Sequence, residues 1–163
     1  MDRLATCGWN APLGHIRITS DGHHVLSLTI FPSGEEVEDG PPPAVPLLVE
    51  TVTQLRQWFA GERQQFDLPL RPSNTTRGQV LRDTIAAIPY GETASYGHLA
   101  RLAGSGPRAI GQACRRNPLP IIIPCHRVIA AHGEIGHYSG GDGVATKAWL
   151  LNFEQIQQQR NMP

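Results

Sequence analysis

The sequence is short of cysteine. Its 163 residues include three, Cys7, Cys114 and Cys125, with no CxxC spacing. An odd count so spaced argues against a disulfide framework and a zinc ribbon. Cys7 could join His15, His23 and His24 around a zinc ion, but no closely spaced ligand pair anchors such a site. No metal and no other cofactor is expected. Long hydrophobic runs are also missing, so no segment is apolar enough to cross a bilayer as a helix. The opening residues, MDRLATCGWN, lack the basic-then-apolar layout of a secretory signal, and a cytoplasmic location is expected, nucleoid-associated in a bacterium. No internal repeat is present.

Acidic residues are missing from one long interval. None lies between Glu92 and Glu134, a stretch that holds Arg101, Arg108, Arg115, Arg116 and Arg127, although the whole chain is formally neutral. Such a basic stretch suits a polyanionic partner, and equally a solvated face with chance clustering.

Residues 13–31 alternate apolar and polar on either side of SDGHH, which predicts a β-hairpin carrying Ile16, Ile18, Val25, Leu26, Leu28 and Ile30 inward. Leu48, Val52, Leu55 and Phe59 recur at helical spacing, and Gly61 ends that helix. QQFDLPL reads as an edge strand or extended segment, and RPSNTTRG, 71–78, as a linker. Beyond it Val80, Leu81, Thr84, Ile85 and Ile88 mark one helix face. TASYGHLARLAG forms a second helix, capped by Ser95 and closed by Gly104. SGPRAIGQACRRN forms a third with Pro107 in its first turn. A last helix spans about 145–158, with Trp149, Leu150, Phe153 and Ile156 on one side. The expected organisation is α+β: a small strand-rich domain over 1–71 and a helical domain over 72–163.

The second and third of these helices, separated only by GSGP, have the layout of a helix-turn-helix. On a helical wheel Gly111, Gln112 and Arg115 share the side of Arg108, while Ala109, Ile110, Ala113 and Cys114 lie opposite. Gly111 leaves nothing projecting, which suits close approach to a sugar–phosphate wall or a minor groove better than reading of base edges.

Ile121–Ile123 is an apolar run flanked by Pro118, Pro120 and Pro124, and it predicts a buried strand ending at Cys125. Neighbours on a strand face opposite ways, so Cys125 and His126 meet only if the chain turns at the cysteine or a water bridges them. A neighbouring imidazolium would lower the thiol pKa and activate it. A buried inert cysteine is the competing reading.

NPLPIIIPCHRV, taken with SYGHLARLAG, PRAIGQACRRN, GHYSGG and KAWLLNFE, resembles the O6-alkylguanine-DNA alkyltransferases, closely over about 79–154 and more loosely in the N-terminal part. The resemblance implies a ribonuclease H-like N-terminal domain packed on a helical domain with a helix-turn-helix and a winged-helix-like arrangement. It implies repair of double-stranded DNA, in which an alkyl group leaves O6-alkylguanine, with O4-alkylthymine a further candidate, for the protein's own cysteine. Cys125 matches the acceptor, His126 the base acting through water, and Glu154 the carboxylate that orients the imidazole. Asn117 matches the residue whose side chain ties its turn to the active-site strand. Arg108 matches the residue that fills the gap left by a flipped nucleotide. Tyr96 matches the tyrosine that crowds the 3′ phosphate, and Ser95, Gly111 and Arg115 fall on the DNA-binding side. Pro120, Tyr138, Ser139 and Gly140 match the pocket for base and alkyl group. A monomer is expected, with cooperative assembly on DNA left open. The turn at GSGPR is shorter than the family pattern, the stretch GGDGVATK is longer, and TTRGQVL lacks the aromatic residues often found there. Three rivals remain: a Cys-His thiol hydrolase, a binder of alkylated DNA that transfers nothing, and a DNA-binding regulator with an incidental cysteine.

Overall fold

The computed structural model describes residues 4–35, 37–38 and 40–161. It divides into two compact units. One runs through Arg71 and includes 140–142; the other begins at Pro72 and takes the rest.

In the first unit the alternating stretch forms the expected hairpin, β2 (Gly14–Ser20) against β3 (Val25–Ile30), antiparallel, with Ile18 opposite Leu28. A further strand, β1 (Ala5–Ala11), pairs with β2 and makes a three-stranded sheet in the order β1-β2-β3. The sequence reading did not anticipate it, because only Cys7 of that strand is fully buried and no apolar alternation shows. Helix α1 (Pro46–Phe59) packs on the sheet through Leu48, Val52, Leu55 and Trp58. Gly61, at φ 78°, takes the left-handed conformation that ends it. The extended segment before Arg71 meets β3 in a parallel bridge between Leu70 and Val25.

In the second unit α2 (Thr76–Ala86) begins inside the expected linker, because the Thr75 hydroxyl accepts from the Gly78 N–H and caps it. Leu81, Ile85 and Ile88 are buried, whereas Val80 is exposed and does not belong to that face. Helices α3 (Tyr96–Ala103) and α4 (Pro107–Arg115) form the helix-turn-helix, with Ser95 capping the first and Pro107 opening the second. Ala94–Ser95 (β4) pairs in parallel with Val128–Ile129 (β5).

Two further expectations fail. The run Ile121–Ile123 is not a strand: it is a buried turn, with Ile121 at φ 73° and the Ile123 N–H folded back 2.8 Å to the Leu119 carbonyl. Three nearby prolines lack the N–H groups a ladder needs, so the segment satisfies itself locally. Pairing with β4 starts only after the cysteine. The last helix, α5 (Val144–Arg160), does not bury an all-apolar stripe. Its inner face is Thr146, Lys147, Leu150 and Glu154, while Ile156 is 40% exposed. The charged pair goes inward because both side chains find partners there. Trp149 and Phe153 stack on the flank at 5.2 Å.

Candidate active site

The buried turn delivers Cys125 into a single turn of 3₁₀ helix, Cys125–Arg127, closed by an Arg127 N–H to Pro124 carbonyl bond of 3.0 Å. Asn117 fixes the sulfur. Its side-chain Nδ2 donates to Cys125 Sγ at 3.1 Å and to the Ile123 carbonyl at 3.0 Å, and its Oδ1 accepts from the Leu119 N–H at 2.9 Å. One amide thus holds the start of the turn, its end and the thiol. Burial pushes the Cys125 pKa up, against the opposing pull of the Asn117 bond and the Lys147 charge. Burial thus works against the thiolate at this sulfur, while the Asn117 bond and the Lys147 charge work for it.

Burial also disfavours a charged imidazole. His126 is fully buried, and desolvation lowers its pKa although Glu154 pulls the other way. Its Nε2 lies 2.7 Å from Glu154 Oε2. Burial would raise the Glu154 pKa, but hydrogen bonds from His126 and Arg127 bring it down to about 2. An ionised carboxylate requires the proton on Nε2, so the His126 Nδ1 lone pair is free to take one. Nδ1 is buried without a hydrogen-bond partner among the described residues, so sulfur and imidazole are not bonded directly even though the chain turns between them.

Arg127 closes this network, and sequence reasoning missed it. Its Nε donates to Glu154 Oε1 at 2.9 Å, its Nη2 to Oε2 at 2.8 Å and its Nη1 to the Ile88 carbonyl at 2.7 Å. The guanidinium also sits 5.4 Å from the Tyr90 ring centre. The fork grips both carboxylate oxygens and fixes the face shown to His126. Its place in the string CHR was visible in the sequence, but its partner, one helix away, was not.

Cys125 opens onto a cavity of about 250 Å³, lined also by Tyr96, Gly111, Cys114, Arg115, Gly136, His137, Tyr138 and Ser139. The helix-turn-helix thus supplies one wall and the loop before α5 the other. Gly111 leaves the α4 wall open: a Cβ there would lie 4.0 Å from the Tyr96 ring. Gly136, at φ 77°, needs the conformation only glycine adopts freely. Lys147, buried, donates to the Val128 and His137 carbonyls at 2.5 and 3.3 Å and ties the loop to β5. Its signal in the sequence was its spacing on α5: Lys147, Leu150 and Glu154 share one face. Cys114, expected on the inward face of α4, instead lines the cavity, and burial holds its pKa up at about 12.

The other expected residues separate. Arg108 is exposed on the first turn of α4, beside Gln112 and Arg115 on the same wet face. Ser95 is a helix cap, its hydroxyl accepting from the His98 N–H at 3.1 Å. Pro120 is half-buried in the turn and does not line the cavity. Gly140 does not line it either; it belongs with the strand-rich unit, where the Gly141 N–H bonds the Ile30 carbonyl at 3.0 Å. Glycine has no side chain to seek the cavity, and the backbone pairing takes it elsewhere. The zinc option finds no geometry: among the described residues no group of three or more His, Cys, Asp or Glu is placed to hold a metal. His15 Nδ1 bonds instead to Asn10 Oδ1 at 2.8 Å.

Residues 77–156 match the family described as 6-O-methylguanine DNA methyltransferase, DNA binding domain, and residues 9–72 match its ribonuclease-like domain. The constitutive methylated-DNA–protein-cysteine methyltransferase of Bacillus subtilis is 38% identical over 152 residues, covering 89% of this chain and 92% of that protein. A Thermus thermophilus protein named DNA base-flipping protein is 39% identical over 147 residues, covering 88% and 95%. A crystal structure of Mycobacterium tuberculosis OGT in complex with DNA superposes with a TM-score of 0.80 at 33% identity, covering 93% of each chain.

Proposed function

The chain belongs to the 6-O-methylguanine DNA methyltransferase family, and we propose that it repairs DNA directly, moving the alkyl group of O6-alkylguanine onto Cys125 in one irreversible step. The observation that carries the residue assignment is the Asn117-held sulfur of Cys125 at the wall of a base-sized cavity, next to a buried neutral imidazole backed by an ionised Glu154. DNA is the partner, and the duplex carrying O6-alkylguanine is the substrate assigned here.

Each part then has a task. The base must leave the stack to reach the cavity, at a cost of a few kcal/mol. Arg108, exposed on α4, takes its place in the duplex, and Tyr96 and Gly111 let backbone and base come close. The Cys125 proton passes through a water to His126 Nδ1. Glu154 steadies the imidazolium that forms. The sulfur attacks the alkyl carbon, the carbon–oxygen bond breaks, and guanine keeps the electron pair on O6. The product is a thioether, which offers no carbonyl for water to attack, so each chain reacts once.

Stoichiometry tests this. With excess duplex bearing radiolabelled O6-methylguanine, label on the protein should plateau at one methyl per chain. Continued release of product beyond that plateau would mean a hydrolase. The Thermus relative is named for base flipping, and a second reading is binding and flipping without transfer. It predicts retained binding with no label on the protein at all. The complete Cys125–His126–Glu154 arrangement favours transfer.

Arg108→Ala separates extrusion from chemistry. Repair of duplex DNA should slow by about tenfold or more, and reaction with free O6-benzylguanine should slow much less, since the free base needs no extrusion. Equal slowing of both would remove Arg108 from this role.

A further inference from the structure

The turn that presents Arg108 consists of Gly104, Ser105 and Gly106, between the end of α3 and Pro107. Packing does not fix it. A Cβ on either glycine would meet nothing within 4 Å, and Gly104 sits at φ 63°. The helix end satisfies its earlier carbonyls internally: the Gly104 N–H bonds the Ala100 and Arg101 carbonyls, and the Ser105 N–H bonds Ala100 at 2.8 Å. The carbonyls of Ala103 and Gly104 lie beyond the reach of those bonds. A side chain from another helix takes both. Arg77, in the first turn of α2, donates from Nη1 to the Ala103 carbonyl at 2.9 Å and from Nη2 to the Gly104 carbonyl at 2.9 Å. The two carbonyls are consecutive, and a planar fork spans them where a point charge would not. Arg77 is exposed and does not line the cavity. Its charge is also favourable at the C-terminal end of α3.

We infer that Arg77 is a positioning residue for base extrusion: by clamping the Ala103 and Gly104 carbonyls it sets the turn, and with it the position from which Arg108 enters the duplex. The inference rests on the assignment of Arg108 to the gap left by the flipped nucleotide. Arg77 itself touches no reacting atom. Its effect should therefore appear only on substrates that need extrusion.

The test uses the full chain with Arg77→Ala, Arg77→Lys, Arg108→Ala and the double variant Arg77→Ala/Arg108→Ala, on methylated duplex and on free O6-benzylguanine. Arg77→Ala should slow duplex repair about tenfold and change the free-base rate by no more than about twofold. Arg77→Lys, able to hold one carbonyl but not the pair, should fall between. The double variant should be no slower on duplex than Arg108→Ala alone, because the clamp acts through Arg108. A merely structural role would lower the melting temperature and slow both substrates together, and that result overturns the inference, as does a double variant whose losses multiply. If Arg77→Ala does not fold, Arg77→Lys against Arg77→Gln gives the same comparison. Should Arg108→Ala fail to distinguish duplex from free base, the extrusion assignment falls and takes the clamp with it. Should Arg108→Ala distinguish them and Arg77→Ala not, only the clamp falls.

Discussion

Replacing Glu154 with alanine is expected to destabilise the protein by about 3–5 kcal/mol, because it leaves a buried guanidinium without its counter-charge. Arg127 is 6% exposed, and Glu154 takes two of its three donor groups. Only the Ile88 carbonyl and the Tyr90 ring would remain. For a chain of this length the melting temperature should drop by on the order of 10 °C. Glu154→Gln keeps the shape and one acceptor, so it should fold better. It should still react on the order of a hundredfold more slowly, since the imidazolium that forms loses its partner. A Glu154→Ala protein melting with the wild type would show that the network contributes no stability.

The same network sets the acid limit of the fold. His126 is held below its ordinary pKa and Glu154 is brought down to about 2. In both cases the unfolded chain binds a proton at a pH where the folded chain does not, so stability falls as pH falls. The loss should begin as pH drops through the ordinary histidine value of 6.5 and deepen between 4.5 and about 2. Glu154→Gln should flatten the lower part of that curve.

The hairpin, α1, α3 and α4 were legible because each rests on local rules: alternation, helical spacing, a serine cap, a proline in the first turn. β1 was not, since its burial comes from neighbours rather than from its own pattern. The Ile121–Ile123 run has strand composition, yet prolines and the Asn117 amide impose a turn, and hydropathy cannot see a side chain satisfying backbone at a distance. Lys147 and Glu154 share a face of α5 with Leu150, but what draws them inward, Val128, His137, His126 and Arg127, lies on other elements. At the site, the resemblance to a family pointed to Cys125, His126, Glu154 and Asn117, and the structure holds these four as two hydrogen-bonded pairs, Asn117 with Cys125 and His126 with Glu154, joined through the 3₁₀ turn. It also alters the chemistry expected of them. Adjacency of cysteine and histidine suggested an ion pair, whereas burial works against the charged form of both. Backbone pairing removed Gly140 from the cavity, and the cavity-facing placement of Cys114 and His137 depends on tertiary position alone.

That cavity holds two thiols, which makes the identity of the acceptor the sharpest question. Cys114 has its pKa raised to about 12, and no hydrogen bond like that of Asn117 to Cys125 is directed at its sulfur among the described residues. Cys125 alone stands in the turn shared with His126. Cys125→Ala should therefore lose transfer completely while keeping its affinity for the duplex, because the α4 face is untouched. The direct measurement is the intact mass of the wild type and of Cys125→Ala after incubation with duplex DNA containing O6-methylguanine, followed by mapping of the modified peptide. One methyl-for-hydrogen gain per chain, on the peptide holding Cys125 and absent from the variant, is the expected result. A gain that persists in Cys125→Ala, or that maps to Cys114, would contradict the mechanism.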